Sequence, residues 1–306
     1  MTALRTALGA SLRPQIVERI DRSSLKEAFA AANASVADYK RAGVELITFF
    51  DERYPERLRQ IENPPPMLFV RGNVALLSSV ELVAVVGTRE PTNFGISAAR
   101  FLTEALGRDG CGIVSGLAKG IDTVAHTAAV EIGAPTIAVL GGGLERIYPA
   151  ENKTLANQII DSGGTLISEQ AFGVPPRPNH LIARDRIQSG LVAAVLIVQS
   201  GVQSGTMHTA RYAASQGKPI FCPVPHSGSG ANEGLRVLLD APANELCRLL
   251  PAWKSAHKLC LRLPDRPLAR PVSRDRTEGF VESVRESIRT RDLRPDCDAL
   301  LTLPIE

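Results

Sequence analysis

Six short apolar runs punctuate the middle of this chain, with helical patterns between them. The runs are Val83–Val86, Gly112–Val114, Thr136–Leu140, Thr165–Ile167, Ala193–Val198 and Ile220–Pro223. Helices are expected over Gly95–Leu106, Ile121–Ile132, Asn152–Asp161, Ala183–Gly190 and Met207–Ser215. The first carries Ala98, Ala99, Leu102 and Leu106 as its buried face, the second stops at Gly133, and the third stops at Gly163-Gly164. Short strands that are apolar on both faces and joined by helices belong to a parallel sheet covered on both sides.

The expected fold class is therefore α/β: an extended Rossmann-like, doubly wound, mostly parallel sheet, with a small helical N-terminal region. Such sheets bind ligands outside the carboxyl ends of their strands. The distinctive residues obey that rule. Gly87-Thr88-Arg89, Ser115-Gly116, Gly141 to Gly143, Ser168-Glu169 and Ser204-Gly205-Thr206 all lie at strand exits. Five such turns on one edge point to a single large cleft.

At its centre is IVSGLAKGIDTVAH, Ile113 to His126. A strand breaks into a glycine loop and then a helix, a junction that aims backbone N–H groups and the helix dipole at one spot. A phosphate or another anion is the expected guest, although glycine loops also serve simply as tight turns. Lys119 beside Gly120 adds a full charge, and Asp122 is placed to cap the helix. Asp122 and His126 share a helix face. Without a third metal ligand in view, a cap and a packed histidine are expected rather than a metal pair. No GxGxxG follows the first core strand, so a conventional NAD or FAD enzyme is not expected.

The whole chain carries a net charge of only +3, so any polyanion site needs local clustering. Arg89 leaves a buried strand directly at the cleft. Arg184 and Arg186 bracket Asp185, which fits either an Arg–Asp pair that fixes a loop or a second phosphate cluster. Lys119, Arg177 and Arg211 extend a basic rim that suits a polyanion better than a small metabolite. His208 and Thr209 near a helix start, and Tyr148-Pro149 after the third strand, either line the cleft or serve the surface and a turn. Ser115, Ser168 and Ser204 lack a base at motif spacing, and Glu169 is an isolated acid. Binding without chemistry is the leading class, with no cofactor and no metal.

With 306 residues, 44% of them hydrophobic, the chain can build one large domain and smaller attachments. The expected division is a helical N-terminal region at 1–50, a core at 51–250, and a C-terminal extension at 251–306. In the first, Ile16, Ile20, Leu25, Phe29, Ala32 and Val36 fit short amphipathic helices. The last is expected to be partly disordered or small and helical, with one helical stretch near Gly279 to Ile288. A strand is expected at Met67 to Val70, after the stiff connector Pro64 to Pro66. The five cysteines are odd in number and show no CxxC, and Cys111 and Cys222 sit beside apolar strands. No secretory signal and no run near the roughly 20 residues needed to span a bilayer are evident. The expected setting is the cytoplasm, away from membranes.

Several segments together resemble the DNA-processing protein A family, DprA or Smf. They are Tyr54-Pro55 with Pro65, LFVRGN at Leu68, VAVVGTR at Val83, SGLAKGIDTVAH at Ser115, TIAVLGGGLERIYPAEN at Thr136 and ISE at Ile167. ARDRIQSGL at Ala183, SGTMHTARYA at Ser204 and GKPIFCPVP at Gly217 complete the series, which covers roughly residues 44 to 245. The resemblance implies an extended Rossmann core that binds single-stranded DNA in a basic pocket, forms a homodimer, and helps load a RecA-type recombinase during natural transformation. It further implies DNA or phosphate contacts by Gly87, Thr88, Arg89, Ser115, Gly116, Lys119, Gly120, Arg177, Arg184, Arg186, Ser204, Gly205 and Thr206.

Three departures stand out. The family element usually reads F-P-x-R-N-R, whereas this chain has Leu181-Ile182-Ala183-Arg184-Asp185-Arg186. Leu181 stands where an aromatic could stack on a base, a contact worth roughly 1–3 kcal/mol. Asp185 puts a negative charge between the two arginines. No winged helix, common at the C-terminus of relatives, can be read in residues 254 to 306. The chain is also distantly similar to LOG-type nucleotide phosphoribohydrolases, but Thr209 occupies the position of their catalytic Glu. A nucleotide-binding sensor or nucleotide-processing enzyme is the alternative function on this fold.

Overall fold

In a computed structural model, residues 36–223, 233–240, 258–262 and 301–302 are described. The chain divides between Leu46 and Ile47 into two units. In the first, residues 36–41 are helical and a turn at Gly43 follows, with φ 67°. The amphipathic pattern at Ile16 to Ala32, the stretch near Gly279 to Ile288, and most of the C-terminal extension lie outside the described residues.

The larger unit begins inside β1 (Val44–Thr48) and continues with β2 (Met67–Gly72), β3 (Leu82–Val86), β4 (Gly112–Ser115), β5 (Thr136–Leu140) and β6 (Thr165–Ser168). β7 (Ala194–Ile197), β8 (Ile220–Pro223), β9 (Lys258–Arg262) and β10 (Leu301–Thr302) follow. From β2 onward the spatial order is β2-β6-β5-β4-β3-β7-β8-β9-β10. Every pairing in this series is parallel except β2 with β6. The fold is α/β and Rossmann-like. The chain winds outward from β3 to β6, then returns to lay β7 on the other side of β3. The topological switch point is therefore the β3–β7 boundary, where such sheets open a crevice.

Successive side chains of a strand point to opposite faces, so each central strand feeds two cores. In β3, Val83 and Val85 join one cluster, while Leu82, Ala84 and Val86 join the other. Helices α1 (Asn93–Arg108) and α2 (Ile121–Glu131) cover the first face, bringing Ala98, Leu102, Leu106, Ile121 and Ala125. On the second face, Ile187, Leu191, Met207 and Ala210 pack on Val195 and Ile197. Helix α3 (Lys153–Asp161) links β5 to β6. All five residues of β3 and all five of β5 are buried, which accounts for runs without polar alternation.

Two expectations need correction. Helix α1 starts at Asn93 rather than Gly95, because the Thr92 hydroxyl caps it by accepting from Gly95 N (3.2 Å). The helix expected over Ala183–Gly190 runs over Asp185–Leu191, and a second helix that was not expected precedes it. These two, α4 (Pro178–Ala183) and α5 (Asp185–Leu191), are joined at Arg184. Pro178 occupies the first turn of α4, where its missing N–H costs nothing. Helix α6 (Thr206–Ser215), helix α7 (Glu233–Asp240) and two short helical segments, Glu56–Arg59 and Leu76–Ser79, also bear on the core, the short ones through Leu58, Leu76 and Leu77. Among the described residues, no helix is long and apolar enough to cross a membrane.

Candidate functional site

The exits of β3, β4 and β5 meet at one place. After Val86, Thr88 N donates to Gln199 O (2.8 Å) beyond β7, and Ile121 N donates to Thr88 O (3.1 Å). The Gly87-Thr88-Arg89 turn is thus fastened to the switch point and to the start of α2. Gly120 has φ 81°, and a Cβ there would run into Thr88 O and the Arg89 backbone. Only glycine lets the Lys119 loop lie directly against the Arg89 turn. Arg89 is exposed and makes no side-chain hydrogen bond or ion pair with a described residue.

The glycine loop already holds an anion, and it is the protein's own. Asp122 does not cap its helix; its Oδ2 accepts from Gly116 N (3.1 Å) and Ala118 N (3.3 Å). The expected set of open N–H groups is therefore two fewer than the sequence pattern implied. Ser115 is fully buried, with its hydroxyl donating to Val85 O (2.7 Å). Burial holds the Asp122 carboxyl above the usual carboxylate range, against the opposing pull of Arg184 and the loop N–H groups. His126 is also fully buried, with Nδ1 2.8 Å from Thr136 Oγ1. The Thr136 hydroxyl in turn donates to Ile113 O (3.0 Å). Burial and the Arg184 charge push the His126 imidazole down to about 3, so it is neutral.

Arg184 is the keystone beneath the loop. It is 7% exposed, and its Nη1 donates to Val139 O (2.8 Å) and its Nε to Leu181 O (3.2 Å). The guanidinium also pairs with Asp185 (3.2 Å). A Cβ at position 116 would fall on this guanidinium, so Gly116 is the space that Arg184 fills. Burial pushes the Asp185 carboxyl up to about 7, with Arg184 opposing and the Asp122 charge adding to the rise.

Arg184 and Arg186 do not act at one spot. Arg186 donates from Nε to Asn63 O (2.9 Å), pairs with Glu169, and lines a separate concavity with Arg57, Tyr212 and Lys218. Glu169, isolated in the sequence, is thereby a structural partner. Arg177 is the exposed residue preceding α4. At the exit of β7, Ser204 meets Ser200 (Oγ to Oγ 2.5 Å), Gly205 is exposed, and Thr206 is buried at the start of α6.

One pocket gathers Arg89, Gly116, Ala118, Lys119, Tyr148, Pro149, Leu181 and Arg184. Four residues expected from the sequence, Arg89, Gly116, Lys119 and Arg184, thus come together from two strand exits and the α4–α5 junction. Lys119 Nζ lies 2.6 Å from Glu151 Oε1, with both side chains mostly exposed. That contact raises the Lys119 pKa and lowers that of Glu151. Asn152 escaped the sequence reading, although it closes the run IYPAEN. Its buried Nδ2 donates to Leu117 O (2.9 Å), Ala118 O (3.3 Å) and Thr123 Oγ1 (2.9 Å), clamping the β5 exit to the glycine loop. Leu117 sits there at φ 56°, a conformation unusual for a branched side chain. The pocket offers cations at its mouth, a buried guanidinium below, and an apolar edge from Leu181 and Tyr148.

Comparison with known proteins gives a consistent picture. The family model described as DNA recombination-mediator protein A matches residues 45–253. The chain is similar to the DNA processing protein DprA of Bacillus subtilis, at 35% identity over 227 residues, which cover 74% of this chain and 76% of that one. It is 41% identical to protein Smf of Escherichia coli over 198 residues, 65% of this chain and about half (53%) of that protein's length. Among solved structures, DprA from Streptococcus pneumoniae matches with a TM-score of 0.65 and 32% identity, covering 75% of this chain and 82% of that one. DNA processing protein A from Helicobacter pylori, described for its single-stranded DNA binding mode, matches with a TM-score of 0.59 and 26% identity over 76% and 93% of the two chains.

Proposed function

Because the chain belongs to the DNA recombination-mediator protein A family, we propose that it binds single-stranded DNA in the Arg89–Lys119–Arg184 pocket and performs no chemistry on it. The observation that carries this reading is the convergence of two exposed cations, Arg89 and Lys119, on one pocket at the strand exits. Their presentation is the electrostatic footprint expected of phosphate binding. The residues lining that pocket include no carboxylate and no imidazole. The strand at Arg89 and Lys119 would be held for transfer to a RecA-type recombinase during natural transformation, by a homodimer acting in the cytoplasm. Arg177, Arg186 and Ser204 to Thr206 lie away from this pocket and are assigned the path of a longer strand.

The test is binding of labelled single-stranded oligonucleotides of increasing length at two salt concentrations, with duplex and mononucleotide competitors. Tight, length-dependent, salt-sensitive binding is expected. Replacing Arg89 and Lys119 together by alanine should weaken it by about tenfold or more and flatten the salt slope by about 0.7 per lost contact. Unchanged affinity would remove both residues from the interface. Complete competition by a mononucleotide would favour a nucleotide sensor or nucleotide-processing enzyme instead. Glu151→Gln is expected to tighten binding slightly, since it releases Lys119 from its neighbour; weaker binding would show that Glu151 serves to position the lysine.

A further inference from the structure

Tyr148 is 49% exposed and belongs to neither hydrophobic core cluster. It is the aromatic side chain of the pocket that Arg89, Lys119 and Arg184 line. Leu181 shares that lining, and the adjacent Ile182 is 38% exposed, so one edge of a basic pocket is apolar. Phosphates alone give no use for such an edge. The ring is also carried on a fastened segment. Asn152 N donates to Pro149 O (3.1 Å), and the buried Asn152 side chain ties this turn to the loop of Lys119. Lys119 and Glu151 bridge the same two segments at the surface. A ring and a cation are thus presented side by side on a frame ordered in advance, which lowers the entropy cost of binding.

We propose that Tyr148 is a base-stacking platform, taking the face of one nucleobase while Lys119 or Arg89 takes a neighbouring phosphate. This rests on the single-stranded DNA reading and deepens it. Every base has a π-face, so the platform tolerates any sequence. In a duplex those faces are occupied by neighbouring bases, so the same ring selects single strands over duplex. The charges supply attraction, and Tyr148 supplies the discrimination.

The experiment is fluorescence anisotropy with a labelled oligothymidylate and an abasic strand of equal length, each at two salt concentrations. The proteins are the unsubstituted chain, Tyr148→Phe and Tyr148→Leu. On oligothymidylate, Tyr148→Leu should lose roughly 5- to 100-fold in affinity, with Tyr148→Phe close to the original. The salt slope should not change, because no phosphate contact is lost. On the abasic strand all three proteins should bind alike, which also shows that the leucine variant is folded. Equal binding of oligothymidylate by Tyr148→Leu would overturn the platform and leave the DNA reading standing. An equal loss on both strands would also overturn it, pointing to a general disturbance of the pocket. Failure of the unsubstituted chain to bind either strand would overturn both readings.

Discussion

Asp122→Ala is expected to lower the unfolding free energy by about 3–5 kcal/mol, because it both orphans hydrogen-bond donors and strips a buried charge of its neighbour. Gly116 N and Ala118 N lose their shared acceptor where water has little access, and the Arg184 guanidinium loses an opposite charge. Asp122→Asn separates these effects. Its amide oxygen can still accept from the loop, so a smaller loss, about 1–2 kcal/mol, is expected if the loop hydrogen bonds dominate. Urea denaturation followed by circular dichroism reads both values. Equal losses for the two variants would mean that the charge facing Arg184 matters and the loop bonds do not. An alanine variant as stable as the original would show that the loop holds its shape without Asp122. Because Lys119 rides on this loop, the alanine variant should bind single strands more weakly even where it remains folded.

The second large effect concerns Asp185 and pH. Its carboxyl has an ordinary value of 3.8 and sits at about 7 in the folded chain. The folded protein therefore keeps a proton that the unfolded chain releases between pH 4 and 7. Stability from this group falls as pH rises through that window and is level above it. Asp185→Asn removes the penalty, so it should stabilise the protein at pH 8 by up to about 4 kcal/mol and change little near pH 4. His126 works in the opposite sense. Its folded value of about 3 lies below the ordinary 6.5, so its contribution is present above pH 6.5 and is lost as pH falls toward 3. In the unsubstituted chain the two slopes oppose each other between about pH 4 and 6.5. In Asp185→Asn one opposing slope is gone, so between about pH 4 and 6.5 stability should gain with pH relative to the unsubstituted chain. Thermal unfolding at pH 4.5, 6 and 8 tests this. Destabilisation at pH 8 would show that Arg184 needs an ionised Asp185, and that attraction outweighs burial. The asparagine variant should also bind single strands more tightly at pH 8, since one negative charge beside Arg184 and Arg89 is gone.

The contrast between Arg184 and Arg186 shows what sequence spacing can and cannot reveal. Two residues apart in a helical stretch, they diverge by about 200° around the axis. That geometry was available from the sequence, and it explains why one lines the Lys119 pocket and the other a separate concavity. What no spacing could reveal is what each arginine meets. Arg184 donates to Val139 O, 45 residues away, and Arg186 to Asn63 O, 123 residues away. The α4 helix was hidden for a related reason: a run rich in proline and glycine reads as loop, yet its second half starts a helix once Arg177 and Pro178 occupy the entry. Asp122 has the residue type and position of a cap. Its carboxylate turns back to the loop instead, because Gly116 and Ala118 offer two donors at closer hand than the helix end.

The sequence by itself determined the alternation of strands and helices, the two-faced burial of β3 and β5, and the gathering of glycines, hydroxyls and cations at strand exits. Those follow from local periodicity and from the rule that a parallel sheet places every exit on one edge. Tertiary structure alone decided which charges are spent inside the protein and which face outward. Asp122, Arg184 and Asp185 are committed to one another and to backbone groups, while Arg89 and Lys119 stand at the surface. The physical reason is that a charge is assigned by the partners and the burial it meets, and these come from segments far apart in the chain.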